Sequence, residues 1–409
     1  MSGLKNKNTL LMTALLLVIA VAIYLFNQAP EPKYNDQGTT SSQKYEKAKV
    51  LKVIREDLQR DEERGDLLHG SQELELKILT GKHKGEVHTV TNNVSAYLNV
   101  VAKPDQTLIV NIDSADPEHY LVSVYSYYRA PILYIMVLLL FGILLWVGGK
   151  KGLKSILGIM FTFACIVFLF IPMLYRGYSP VLASVLTAAL ITGITLLLLN
   201  GWSSKTSAAI VGTAIGVFLS GSIAYIAGEL LHISGYNTDQ VEVLVVVADQ
   251  TGMQLKGLLF AGILLSCLGA IMDMGITIAS AIHELYIKNP LLSSRELYKS
   301  GINIGRDIMG TMANTLILAF TGSVLASLMV LYAVKLPYTQ LSNMSMVTIE
   351  AAQGLAGCLG VVLTVPIVSF ISSRMIPGLE SGSSADPINE GLPAQDETDQ
   401  LRAQTKAAK

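Results

Sequence analysis

Two patterns of apolar and polar residues divide this chain. From residue 130 onward, apolar runs of about 20 residues follow one another across short polar breaks. Between 44 and 129 the apolar stretches are short, and several alternate with polar positions. A helix needs roughly 20 consecutive apolar residues to cross the hydrocarbon core of a bilayer. About eight segments meet that requirement: 9–26, 132–148, 153–175, 180–200, 207–230, 257–285, 310–334 and 346–375. In the other region, Leu74-Glu75-Leu76-Lys77-Ile78-Leu79 alternates strictly, as a half-buried strand does. Gly81-Lys82-His83-Lys84-Gly85 is a turn and Val87–Val90 its return strand. Further strands are expected over 47–54, 108–112 and 120–125. Five or six short strands in one such stretch predict a small β domain, barrel- or OB-like.

The expected fold is therefore an α-helical integral membrane protein of about eight transmembrane helices, with a small extracytoplasmic β domain between helices one and two. The organisation follows: a membrane anchor at 1–26, a linker at 27–43, the β domain at 44–129, a seven-helix membrane domain at 130–376, and a tail at 377–409. The tail, rich in Ser, Gly, Asp, Pro and Gln, reads as disordered. Orientation rests on Lys and Arg in the short loops. Lys150, Lys151, Lys154, Lys205, Lys288, Arg295, Lys299 and Arg306 all fall on one side, with Lys5 and Lys7 before the first span. Both termini are thus expected in the cytoplasm of a cell-membrane protein, and 27–129 outside. The first run also carries a signal-peptide pattern with Ala20-Val21-Ala22 as its cleavage triplet. The apolar run continues to Phe26 and favours an uncleaved anchor.

Composition supports the class. Of 409 residues, 51% are hydrophobic and only 15% charged, against about 25% in soluble domains. A net charge of −1 offers no electrostatic footprint for nucleic acid. The three cysteines, Cys165, Cys267 and Cys358, lie scattered in apolar runs and suggest neither a disulfide framework nor a metal site. No cofactor is expected. His69, His83, His88 and His119 fall in the β domain without ligand spacing and read as surface histidines.

The chemistry concentrates in the sixth apolar segment. Asp273, Thr277, Ser280 and Glu284 stand at i, i+4, i+7 and i+11, one stripe of a helix with 3.6 residues per turn. An acid within a membrane span is a functional-site hypothesis. Asp307, Thr311 and Asn314 repeat the spacing in the seventh, and Glu350 and Gln353 follow in the eighth. Small residues around Asp273 place the sixth helix at the centre of the bundle, not against lipid. Pro290 ends it, and Ser293 with Glu296 forms a capping box for the next helix. Gly301 and Gly305 predict a bend or a re-entrant segment there. Arg306 is expected to pair with Glu284.

Gly269-Ala-Ile-Met-Asp-Met274, Ile278-Ala-Ser-Ala-Ile-His-Glu-Leu285, GINIGRDIMGTMANTL over 301–316 and Tyr127-Tyr128-Arg129 resemble the YibE/F-like family of bacterial multi-pass membrane proteins. The resemblance runs from about Tyr45 to the end of the eighth span. It implies a membrane protein with an extracytoplasmic domain and brings no catalytic or ligand residue.

Three functions are consistent with these features. The first is a permease or secondary transporter of a small solute or ion, its path lined by the polar stripe. The second is a non-transporting scaffold or sensor whose β domain binds an envelope protein partner. The third, an intramembrane enzyme, finds little support: His283-Glu284 lacks the second histidine of a zinc-protease helix, and neither a nucleophile elbow nor a phosphate loop is present. The oligomeric state is open.

Overall fold

A computed structural model describes residues 2–32, 43–62, 67–114, 120–233, 236 and 241–383. Parts of the expected linker and tail, and His119, lie outside the described residues.

The β region forms a five-stranded antiparallel half-barrel: β1 (Gln43–Asp61), β2 (Leu67–Ile78), β3 (Val87–Val94), β4 (Thr107–Asp113) and β5 (Leu121–Tyr127). The strand order is β3-β2-β1-β4-β5. Alternation drives it: Leu74, Leu76 and Ile78 of β2 and Leu108 and Val110 of β4 are fully buried on one face, with polar neighbours pointing away. β1 runs longer than its apolar stretch predicts because it pairs with both β2 and β4, and register shifts at Val50/Lys52 and Val53/Arg55 bend it. One buried polar residue is fully satisfied. Gln72 Oε1 accepts from the Ala102 amide (2.8 Å) and Asn92 Nδ2 (3.1 Å), while its Nε2 donates to Glu56 (2.8 Å) and the Ala102 carbonyl (3.1 Å).

The remaining elements are helices: α1 (Ser2–Gln28), α2 (Ala130–Cys165), a π-helical turn (Ile166–Phe170), α3 (Ile171–Tyr175), α4 (Pro180–Asn200), α5 (Ser204–Leu230), α6 (Val241–Thr251), α7 (Leu258–Lys288), α8 (Ser294–Ser323), α9 (Leu325–Val334), α10 (Tyr338–Leu341) and α11 (Ser345–Ser383). Among the described residues, five runs are long and apolar enough to cross a membrane: 130–175, α4, α5, α7 and 345–380. The α8–α9 pair, bent by 67°, makes a sixth if counted as one span. Two expected spans share the run 130–175. Gly149 breaks its helix (φ 51, ψ −126), and a Cβ on Gly152 would run into the Leu144 carbonyl. In a straight helix those residues stand about 12 Å apart, so the chain turns sharply at Gly149. Within α1, Thr13–Gln28 is a further apolar helical stretch.

Pro290 ends α7 as expected, with Asn289 as C-cap, and Ser293 and Glu296 form the capping box of α8. The bend expected at Gly301 and Gly305 is absent; α8 runs through both and breaks at Val324 instead. The two glycines serve close packing. A Cβ on Gly301 would meet Ser369 Oγ at 2.7 Å and Ile282 Cδ1 at 2.8 Å, and one on Gly305 would strike Val365. The apolar run 243–247 between α5 and α7 lies in helix α6, and α11 continues to Ser383, into the expected tail.

α7 is central, as predicted: it packs against α4, α5, α8 and α11. Ile271, Met274, Ile278 and Ile282 on it are fully buried. Glu380 on α11 accepts a hydrogen bond from Ser204 (2.6 Å) at the start of α5 and lies 3.4 Å from His283 Nε2 near the end of α7. At the other end Lys256, just before α7, reaches Glu229 of α5 at 3.6 Å. α5 thus runs opposite to α7 and α11.

Candidate functional site: the outer face of α7 and α8

Three faces of α7 are covered by its neighbours. The fourth carries Gly262, Ser266, Gly269, Asp273, Thr277 and Glu284, all exposed, with Ser280 half-buried among them. The stripe read from sequence is therefore real as a stripe. It points out of the chain, however, which corrects the expectation that the bundle encloses it. The physical reason lies in the rest of the helix. The opposite face is larger and wholly apolar, so it takes the buried side.

Position sharpens the consequence. α7 has 31 residues, about 46 Å at 1.5 Å per residue, and Asp273 is the middle one. Wherever a hydrocarbon core of about 30 Å is set along such a helix, its midpoint lies inside. A carboxylate facing lipid there costs about 2.5–3.5 kcal/mol on insertion scales. The helix 130–165 differs. Its outward residues, Leu138, Leu139 and Ile143 among them, are large and apolar, as lipid contact favours. Between Gly262 and Glu284 the exposed residues of α7 are instead small or polar, the composition of a helix–helix contact.

α8 continues this face. Asp307, Thr311 and Asn314 are exposed, as are Asn303, Arg306 and Gly310. The contact of Gly301 with Ile282 sets the two helices in register. Climbing in opposite directions, Thr311 comes about level with Asp273 and Asp307 with Ile276. Asp273 and Thr311 thus share one level, and Thr277 and Asp307 another about 6 Å away. Thr277 and Thr311 turn their hydroxyls back to their own helices, onto the Asp273 carbonyl (2.7 Å) and the Ile308 carbonyl (3.1 Å). Arg306 and Glu284 form no ion pair; both are exposed, at different levels. Glu350 stands apart from the stripe, whereas Gln353 touches it at Ser266. Glu350 lines a cavity of about 360 Å³ at the α8–α9 bend with Phe320, Val324 and Met346, while Gln353 Nε2 donates to Ser266 (3.1 Å).

Sequence reasoning missed the polar groups that are inside. Thr187, Thr195, Thr213, Ser220, Thr364, Ser369 and Ser372 are buried, on α4, α5 and α11. Several face a glycine of a neighbouring helix: Thr213 with Gly275, Thr364 with Gly216, Ser369 with Gly301, Ser220 with Gly360. Glycine lets the backbones approach, and the hydroxyl fills the notch. The interleaving of Gly212, Thr213, Gly216 and Ser220 in α5 was the available signal.

The half-barrel holds a second cluster. Tyr120 donates its hydroxyl proton to Glu86 and lies 2.8 Å from His88 Nε2. His83 Nδ1 is 3.2 Å from Glu86 Oε1 and His88 Nε2 3.3 Å from Oε2. The Tyr120 bond holds the Glu86 carboxyl below its ordinary value of 4.5. Loss of water, then Glu86, pushes the Tyr120 phenol up to about 12. His69 is exposed. Among the described residues no three His, Cys, Asp or Glu side chains are arranged to hold a metal ion.

Membrane-length apolar helices that follow an antiparallel half-barrel along the chain define a helical membrane protein. The profile of YibE/F-like proteins matches residues 136–378, and that of the YibE/F family N-terminal domain matches 41–127. The chain belongs to the YibE/F-like family. No curated protein and no solved structure matches it.

Proposed function

We propose that the chain is a permease of a small solute or ion, and that a cation or coupling proton is handled on the outer face of α7 and α8. One observation carries this reading: Asp273 stands at the midpoint of α7, exposed and without a cationic partner among the described residues. Thr277, Thr311 and Asn314 supply neutral oxygens at nearby depths, and Asp307 a second acid. The path then runs along the face and is completed by what covers it, because the space between α5, α7 and α11 is packed with side chains. In this reading the protein sits in the cell membrane with both termini in the cytoplasm and the half-barrel outside. It carries out no covalent chemistry.

Reconstitution into proteoliposomes tests it. Ion or proton flux through the wild-type chain is expected to fall sharply with Asp273→Asn, which keeps the shape and removes the charge. Flux that is equal in both would end the assignment of Asp273.

The packed interior favours a second reading, a scaffold whose half-barrel binds an envelope protein. Deleting residues 43–129 separates the two. Loss of partner capture with flux intact refutes the scaffold as the primary role.

A further inference from the structure

The outer surface of α8 has a self-complementary charge pattern. Arg306 and Asp307 are both exposed, and neither has an ion-pair or hydrogen-bond partner among the described residues. Being adjacent, they point about 100° apart and cannot meet each other. Stepping round the helix from Arg306, Asn303, Gly310 and Asn314 fall at about 60°, 40° and 80°, between the two charges. The centre of this surface is thus small and neutral, with a base on one flank and an acid on the other. A Cβ on Gly310 would meet nothing within 4 Å, so the centre is open to another backbone.

We infer that a second copy of this chain covers this face, with two α8 helices side by side and reciprocal Arg306–Asp307 pairs between them. A two-fold axis along the membrane normal preserves height, so each Arg306 faces an Asp307 only one residue (about 1.5 Å) away in level. In parallel helices the opposite flanks meet, as the charged flanks of a coiled coil do. An isologous contact uses each group twice: the base of one copy meets the acid of the other, and the reverse. A single copy leaves both charges unmatched, and an unrelated partner must bring its own acid and base to the same depth. The small, polar face of α7 lies beside this contact, so the same assembly shields Asp273 from lipid. The inference rests on the reading above insofar as that face is the working one.

Disulfide trapping in membranes tests it with the full chain. In a background lacking Cys165, Cys267 and Cys358, Gly310→Cys is expected to give a species of twice 44.1 kDa on oxidation. Leu139→Cys, on the apolar surface of α2, is expected to give none. Arg306→Asp and Asp307→Arg should each abolish the trapped dimer, and the two together should restore it. A Gly310→Cys chain that stays monomeric, traps only a different protein, or is not rescued by the exchange overturns the inference. Flux measured on the wild-type and Gly310→Cys chains keeps the two ideas apart. A trapped dimer without flux removes the transport reading alone, and flux from a chain that never traps removes the dimer alone.

Discussion

Gly360 on α11 offers a sharp test of how the helices are held together. A Cβ placed there would stand 2.5 Å from Ser220 Oγ, 2.6 Å from Ser220 Cβ and 2.9 Å from Ile271 Cδ1. Carbon atoms in good contact are about 3.5–4.0 Å apart, so the overlaps are about 1 Å. The neighbours have little room to retreat. Ser220 and Ile271 are fully buried, and Ser220 donates to the Ala356 carbonyl at 3.0 Å. Overpacking of this kind costs about 1–3 kcal/mol, and the displaced hydrogen bond about 0.6 kcal/mol more. Exchanging glycine for alanine within a helix returns about 0.8–1.0 kcal/mol. Gly360→Ala is therefore expected to destabilise by about 1–3 kcal/mol. Gly142→Ala, on the exposed surface of α2 with nothing within 4 Å, keeps only the helix gain and should be neutral or slightly stabilising. Reversible unfolding of the detergent-solubilised protein reads both. Adding Ser220→Gly to Gly360→Ala should recover much of the loss, since it empties the opposite side of the notch. Equal stabilities for Gly360→Ala and Gly142→Ala, or no recovery on adding Ser220→Gly, would refute glycine–hydroxyl notching as the basis of the bundle.

Other expectations concern the half-barrel. Gln72→Leu keeps the bulk but strands the Ala102 amide and Asn92, so calorimetry should show a loss of about 1–3 kcal/mol; a wild-type melting curve would contradict the network. The Glu86–Tyr120 bond predicts a pH window. Glu86 titrates lower when folded, so its contribution is present above its ordinary pKa of 4.5 and fades as pH drops below it. Tyr120 titrates higher, so its contribution holds below its ordinary 10.0 and is lost as pH rises towards about 12. The stability advantage of wild type over Tyr120→Phe should therefore be flat in between and shrink at both ends; a constant difference across all three ranges would exclude the bond as its source.

Much of this architecture was open to reading because its causes are local. A strict alternation such as Leu74–Leu79 has one apolar side as a strand, and a 20-residue apolar run has no cheaper form in a bilayer than a helix. The capping box at Ser293 and the stop at Pro290 depend on residues a few places away, and both stand as expected. The same holds for the stripe: Asp273, Thr277 and Glu284 share a face of α7 by helical period alone.

Where that face points was not a local property. The chain by itself determined that α7 has a polar side; only the packing of α4, α5, α8 and α11 around the other three sides decided that the polar one looks outward. Gly301 and Gly305 teach the same lesson. Their composition argues for a bend, but Ser369, Val365 and Ile282 press against them and hold the helix straight. Periodicity constrains which residues lie together on a helix. Burial is settled by what the remaining helices cover, and those neighbours lie tens of residues away in sequence.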